Sequence, residues 1–197
     1  HDGSLYQRTV ASLLQQEQDI SFLREEWFCP QPKLIICGGG HVSKEVAEFA
    51  AGLDFYVKVI DDRPELVTAE RFPAADELIC DSFDNLQKYL EPDAYYVVVT
   101  PNHAADYQCV KTILQTPYRY LGMIGSRAKV GRTFDNMRAD GVSEEQIATI
   151  FAPIGLNIHA VTPAEIAVSI LAQVIMEKNK KHAASVSREL LQAKEKG

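Results

Sequence analysis

From Lys33 onward, short β-branched or aromatic runs alternate with stretches of helical periodicity. The runs are Leu34 to Cys37, Phe55 to Ile60, Leu78 to Cys80, Tyr95 to Val99 and Tyr120 to Ile124, and they read as five strands. Between the first two, Val42, Val46, Phe49 and Ala50 recur at helical spacing, and Gly52 stands where a helix would end. Cys109, Val110, Ile113 and Leu114 make a similar stripe between the fourth and fifth runs. Ser143-Glu144-Glu145-Gln146 and Thr162-Pro163-Ala164-Glu165 read as capping boxes that each open a helix. The second box precedes an apolar stripe that includes Ile166, Ile170, Leu171 and Val174. This alternation predicts a Rossmann-like α/β fold, a doubly wound and mostly parallel sheet of five or six strands with helices on both faces.

The flanks differ from this middle. Residues 4–18 carry Leu5, Val10, Leu13 and Leu14 among polar positions, a weak amphipathic helix. The expected organisation is a helical arm and connector over 1–32, a nucleotide- or cofactor-binding domain over 33–177, and a polar helical tail over 178–197. The chain opens His1-Asp2-Gly3, without methionine or signal pattern, as an excised piece would.

Charge narrows the partners. With 20 Lys+Arg against 27 Asp+Glu the net charge is -7, which argues against a nucleic-acid binder. The longest apolar runs fall far short of the roughly 18 residues a membrane helix needs. Cys29, Cys37, Cys80 and Cys109 form no CxxC pair, so the expected setting is the reducing cytoplasm, and no dedicated metal site is expected. The apolar stripes of the N-terminal arm and the C-terminal tail are too thin to stand alone, which suggests a homodimer.

The candidate chemistry begins directly after the first strand. Gly38-Gly39-Gly40-His41-Val42-Ser43 leads from that strand into a helix: Gly38 permits a tight turn, Gly40 lets backbone approach a phosphate, and free amides bind the anion. Ser43 takes the place of the usual third glycine. Asp61 ends the second strand, 21 residues after Gly40, where an acid accepts hydrogen bonds from ribose hydroxyls. Asp62 and Arg63 leave the choice between NAD and NADP open, because the acid repels a 2′-phosphate and the guanidinium attracts one. His41 is placed to donate to a phosphate or a pterin. His103 and Asp106 follow the fourth strand, while Ser126 and Arg127 follow the fifth, all at the carboxyl edge of the sheet. Ser126 reads as an N-cap that doubles as an anion site with the Arg127 guanidinium as a fork; Lys129 is placed to add a positive charge to that ligand site, while taken alone it reads as a solvated surface charge. Cys37 reads as a buried inert thiol, with Cys29 the more accessible sulfur.

Five motifs occur in one order: Cys37-Gly38-Gly39-Gly40-His41-Val42, Val59-Ile60-Asp61, Thr100-Pro101-Asn102-His103-Ala104-Ala105-Asp106, Tyr120 to Lys129 with Gly125-Ser126-Arg127 inside it, and Pro153 to Ala167. The series resembles the C-terminal Rossmann domain of the xanthine dehydrogenase accessory factors, the XdhC/CoxI family, from about Pro32 to Glu177. The resemblance implies a maturation factor that receives molybdenum cofactor, supports exchange of an oxo ligand for sulfur, and delivers the cofactor to a molybdenum hydroxylase apoenzyme. It implies that apoenzyme and a sulfur donor protein as partners, and Thr100 and Gly125 as further ligand-binding positions. The family's usual pattern differs at four points: it has alanine at Gly39, histidine at Pro101, an acid at Asn157 and a glycine at His159. No counterpart of the family's cysteine-bearing N-terminal segment is present in the first 31 residues.

Three readings remain open on sequence. The first is an accessory protein holding molybdenum cofactor or a nicotinamide nucleotide. The second is a small NAD(P)-dependent oxidoreductase, and the third a nucleotide-sensing regulatory module. The sequence shows no evident acid–base pair, which favours the first and third.

Overall fold

The structure is a computed structural model that describes residues 31–195, with side chains through residue 180. The arm expected over residues 4–18, and Cys29, lie outside the described residues. Five strands, β1 (Lys33–Cys37), β2 (Tyr56–Asp61), β3 (Glu77–Cys80), β4 (Ala94–Val98) and β5 (Tyr118–Met123), form one sheet in the order β3-β2-β1-β4-β5. Every pairing is parallel. At the carboxyl end of β1, Cys37 lies opposite Ile60 on one side and Val98 on the other, so the ends of three strands are level.

Strand alternation divides the core in two. Leu34, Ile36, Val57, Val59 and Val97 point to the face covered by α1 (His41–Ala51), where Val46 and Ala50 meet them. Ile35, Cys37, Ile60 and Val98 point to the face covered by α2 (His103–Ile113) and α3 (Arg127–Ala139), against Cys109, Val110 and Val130. A strand buried on both faces reads as a continuous apolar run, which explains the runs at the central strands β1, β2 and β4; the edge strand β3 is only half-buried. Each wholly buried Leu, Ile or Val contributes about 1.5–3 kcal/mol. Lys58 is the exception within β2. Its ammonium is tolerated because it donates to Glu91 Oε1 at 2.7 Å and pairs with Glu77 Oε2 at 3.0 Å. Burial alone would lower its pKa, yet these two carboxylates raise it above the ordinary lysine value.

Both capping boxes are formed. Ser143 and Gln146 exchange bonds at the start of α4 (Glu144–Ile147), a helix of only four residues. Glu165 Oε2 accepts from Val161 N at 2.7 Å and Thr162 N at 2.9 Å, and Thr162 Oγ1 accepts from Glu165 N, which opens α5 (Pro163–Glu195). α5 packs with α1, through Ala167, Ile170 and Val174. It runs without a break into the stretch read as a polar tail. Two 3-10 segments, Pro64–Leu66 and Phe83–Tyr89, have no counterpart in the sequence reading. Beyond β5, Phe151 forms an isolated parallel bridge with Gly122, a one-residue sixth rung.

Candidate functional site

The strand order reverses at β1. Its neighbour β2 is reached through α1 on one face, while β4 leads into α2 on the other, so the loops after β1 and β4 part and leave a crevice at the carboxyl edge. The glycine turn lies there. Gly38 has φ +117°, a backbone conformation that side chains rarely adopt, and its N–H donates to Ile60 O at 2.8 Å. A Cβ at Gly39 would stand 2.9 Å from Leu66 Cβ, so the family's more usual alanine needs the loop after β2 to move outward. At Gly40 nothing lies within 4 Å of a Cβ position.

Gly40 caps α1 without a side-chain bond, and the first turn of α1 holds no acid. The first intrahelical bond is donated by Lys44 N to Gly40 O, which leaves the earlier amides unspent beside open space. Such a helix start can hold an anion. His41 is exposed at this end and Val42 is half-buried against the first core. Ser43 is buried and its Oγ has no partner among the described residues.

Asp61 has a role that the sequence does not reveal. Its carboxylate is 0% exposed and accepts four bonds: from Gly39 N at 2.6 Å, Arg63 N at 3.0 Å, Arg63 Nε at 2.8 Å and Arg63 Nη2 at 2.8 Å. Four acceptances fill a carboxylate, so ribose hydroxyls would have to displace Arg63 to reach it. Asp62 is exposed, with an oxygen 3.8 Å from Arg63 Nε. Burial alone would raise the Asp61 pKa, but the bonds from Arg63 and Gly39 outweigh it and hold the carboxyl below its ordinary value. Its stabilising contribution is therefore full above about pH 4 and is lost as pH falls through the lowered folded-state value. The stability gap between wild type and Asp61→Asn should be constant above that pH and close below it. Urea titrations across the acid range check this, and a gap that stays constant to the lowest pH would refute it.

Arg71 is a site residue that sequence reasoning missed. Its Nε donates to Gly39 O at 3.0 Å from a turn 32 residues further along the chain. No local pattern links the two, because the loop after β2 brings them together.

At the ends of β4 and β5 a second buried acid organises the loops. Asp106 Oδ1 accepts from Thr100 N at 3.0 Å and Thr100 Oγ1 at 2.6 Å, and Oδ2 accepts from Lys129 Nζ at 2.5 Å. Thr100 is thus committed to the loop. Lys129 is no solvated charge: its side chain is 15% exposed and lies across Gly125, where a Cβ would meet Lys129 Cδ at 2.8 Å. Ser126 caps α3 by accepting from Lys129 N at 3.3 Å, and Arg127 follows it, exposed. His103 and Lys129 help line a cleft of about 230 Å³ between α2 and α3, together with Tyr107, Arg132, Thr133 and Asn136. No glycine-turn residue and no Arg127 lines it. The site residues named from sequence therefore separate into two groups, one around Gly38 to Asp61 and one around Thr100 to Lys129.

Cys37 is wholly buried beneath the turn. Its hydrogen bond with Cys109, followed by burial, pushes the Cys109 thiol far above the ordinary range. His159 has φ 58°, left-handed backbone that favours glycine, at the position where the resemblance expects glycine.

A five-stranded parallel sheet in this order, with a glycine turn at its switch point, defines a Rossmann-type domain. Residues 34–174 match the family described as the XdhC Rossmann domain, and the chain belongs to that family. The uncharacterized protein YqeB of Escherichia coli strain K12 is 37% identical over 152 residues, 76% of this chain and 28% of that protein. A probable xanthine dehydrogenase subunit of Bacillus subtilis strain 168 is 29% identical over 180 residues, 88% of this chain and 52% of that protein. The chain thus spans about a quarter to a half of these relatives' lengths. A crystal structure of a xanthine dehydrogenase from Bacillus halodurans superposes with a TM-score of 0.68 at 32% identity, over 77% of this chain and 44% of that one. Among the described residues, no helix is long and apolar enough to cross a membrane.

Proposed function

We propose that this domain serves the maturation of a molybdenum hydroxylase of the xanthine dehydrogenase type. It holds the phosphate-bearing end of molybdenum cofactor, or of a nicotinamide nucleotide, at the glycine turn and aids delivery of cofactor to the apoenzyme. The observation that carries this reading is the amino end of α1, where uncapped amides face open space beside Gly40 in a chain of the XdhC family. The names of the Bacillus subtilis and Bacillus halodurans relatives support the choice of partner.

The residues present fit a phosphate. The N–H groups of Gly40, His41 and Val42 would hold it, His41 would add a side-chain donor, and Arg71 flanks the turn with positive charge, the charge of Arg63 being matched by Asp61. Molybdenum cofactor, when delivered, supplies the metal centre of the hydroxylase. This chain's residues bind and orient the anionic end of the ligand.

Gly40→Val places a branched side chain in the open space and should weaken binding of the phosphate-bearing ligand at least tenfold, about 1.4 kcal/mol. Thermal stability should hardly change, because nothing packs against that position. Calorimetric titrations with molybdenum cofactor and with nicotinamide nucleotides provide the check; unchanged affinity for all of them would make the turn purely structural. Reconstitution of an apo-hydroxylase with cofactor should give higher activity when this protein is present. Equal activity with and without it would end the delivery reading.

A further inference from the structure

We propose that the cleft between α2 and α3 is a second anion site, which takes a tetrahedral oxyanion of the phosphate class, free or as the terminal group of a larger ligand. The proposal goes beyond the glycine turn and does not depend on it, since no residue of that turn lines the cleft.

The cleft has room and an unbalanced charge. Its volume of about 230 Å³ compares with ~30 Å³ for one liquid water, enough for such an anion with several waters. Arg132 lies on its wall and makes no ion pair among the described residues. The acids around it are matched to other partners. Asp106 pairs with Lys129, Asp135 and Glu144 pair with Arg138, and Asp140 pairs with Lys111 while accepting from Tyr107. The first turn of α3 carries no acid. In a chain of net charge -7, a guanidinium without an ion-pair partner on the wall of a cleft favours an anion there.

The donor set selects the shape of the ligand. Lys129 spends one of its three N–H groups on Asp106 and keeps two. Arg132 offers a planar fork, His103 an imidazole from the facing helix, and Asn136 an amide one turn beyond Arg132. The polar side chains that line the cleft come from both helices, His103 and Tyr107 from α2 and Lys129, Arg132 and Asn136 from α3. That arrangement suits an anion with oxygens in several directions better than a planar carboxylate, which a single fork would satisfy.

The test uses the full chain at constant pH. Inorganic phosphate is titrated against sodium chloride of matched ionic strength, followed by calorimetry and by the imidazole resonances of His103, assigned with His103→Gln. A saturable shift of His103 is expected with phosphate and not with chloride. Arg132→Ala should weaken phosphate binding roughly tenfold, and Arg132→Lys, which keeps the charge and loses the fork, by less. Gly40→Val should leave the phosphate-induced shift of His103 unaltered, whatever it does to the heat released at the glycine turn. A parallel titration with a nucleoside monophosphate distinguishes the two sources: tighter binding than inorganic phosphate marks the terminal group of a larger ligand, and equal or weaker binding marks the free ion. If no saturable shift occurs, the proposal is overturned. It is also overturned if Gly40→Val abolishes the phosphate-induced His103 shift while Arg132→Ala leaves it intact, a result that would instead support the glycine-turn reading.

Discussion

Replacement of Gly38 by alanine is expected to remove a large share of the stability of the domain. The new Cβ would stand 2.4 Å from Val99 O and 2.8 Å from Val99 C, and both are backbone atoms of a segment tied down by Val99 N donating to Cys37 O at 2.9 Å. Neither β1 nor β4 can yield without breaking that pairing at the centre of the sheet. The φ of +117° adds strain of order 1–3 kcal/mol for a residue other than glycine, and the overpacking adds about as much again. Together they make about 2–6 kcal/mol, a large share of a total stability of about 5–15 kcal/mol. Three alanine variants in the one turn should fall in a steep order. Gly38→Ala is the most damaging, Gly39→Ala is intermediate because Leu66 can shift, and Gly40→Ala is nearly neutral. Urea midpoints measure this order, and a Gly38→Ala midpoint equal to that of wild type would contradict the turn geometry.

The second large effect is expected at Asp106. Removing its carboxylate in Asp106→Ala leaves the Lys129 ammonium without its partner and the Thr100 N–H without its acceptor. Breaking a buried pair from one side costs about 3–5 kcal/mol, and the lower end applies here because the lysine stem can carry its charge toward solvent. Asp106→Asn keeps an acceptor for Thr100 and should recover part of the loss. Thermal melts of the two variants measure the difference. If Asp106→Ala melted with the wild type, the carboxylate would not be what joins the loops after β4 and β5.

Those loops also mark the limit of what could be read from sequence. The central strands were visible because a strand covered on both faces must be apolar throughout, and Leu34 to Cys37 or Tyr95 to Val99 can hardly be read otherwise; the edge strand β3 showed only as the short run Leu78 to Cys80. Both capping boxes were equally plain, since their bonds join residues three positions apart. The helix α3 was signalled by its cap at Ser126 alone, because its inward stripe is only Val130, Thr133 and Met137, and Thr133 in its middle is polar. The 3-10 segment at Phe83–Tyr89 buries only Phe83 and Leu86, too few to make a period.

In the candidate site, residue types were legible and their allegiances were not. Asp61 has the position of a ribose acceptor, yet which donors reach its oxygens depends on how the chain turns at Arg63. Lys129 looked solvated because its partner Asp106 lies 23 residues away, on another helix. Arg71 carried no signal at all. Each of these depends on loop paths, which periodicity does not encode.

The two margins of the sheet are unequal. Outside β5, Phe151 N donates to Leu121 O at 2.9 Å, Met123 N to Phe151 O at 3.0 Å and Ile154 N to Met123 O at 3.0 Å, so that border is already sealed by the chain's own backbone. The opposite border is β3, four residues long and carrying Glu77, whose carboxylate is engaged with Lys58. So short a ribbon gives an incoming strand little to zip onto. Among the described residues, growth of the sheet by addition of a strand from another chain is therefore blunted at both margins.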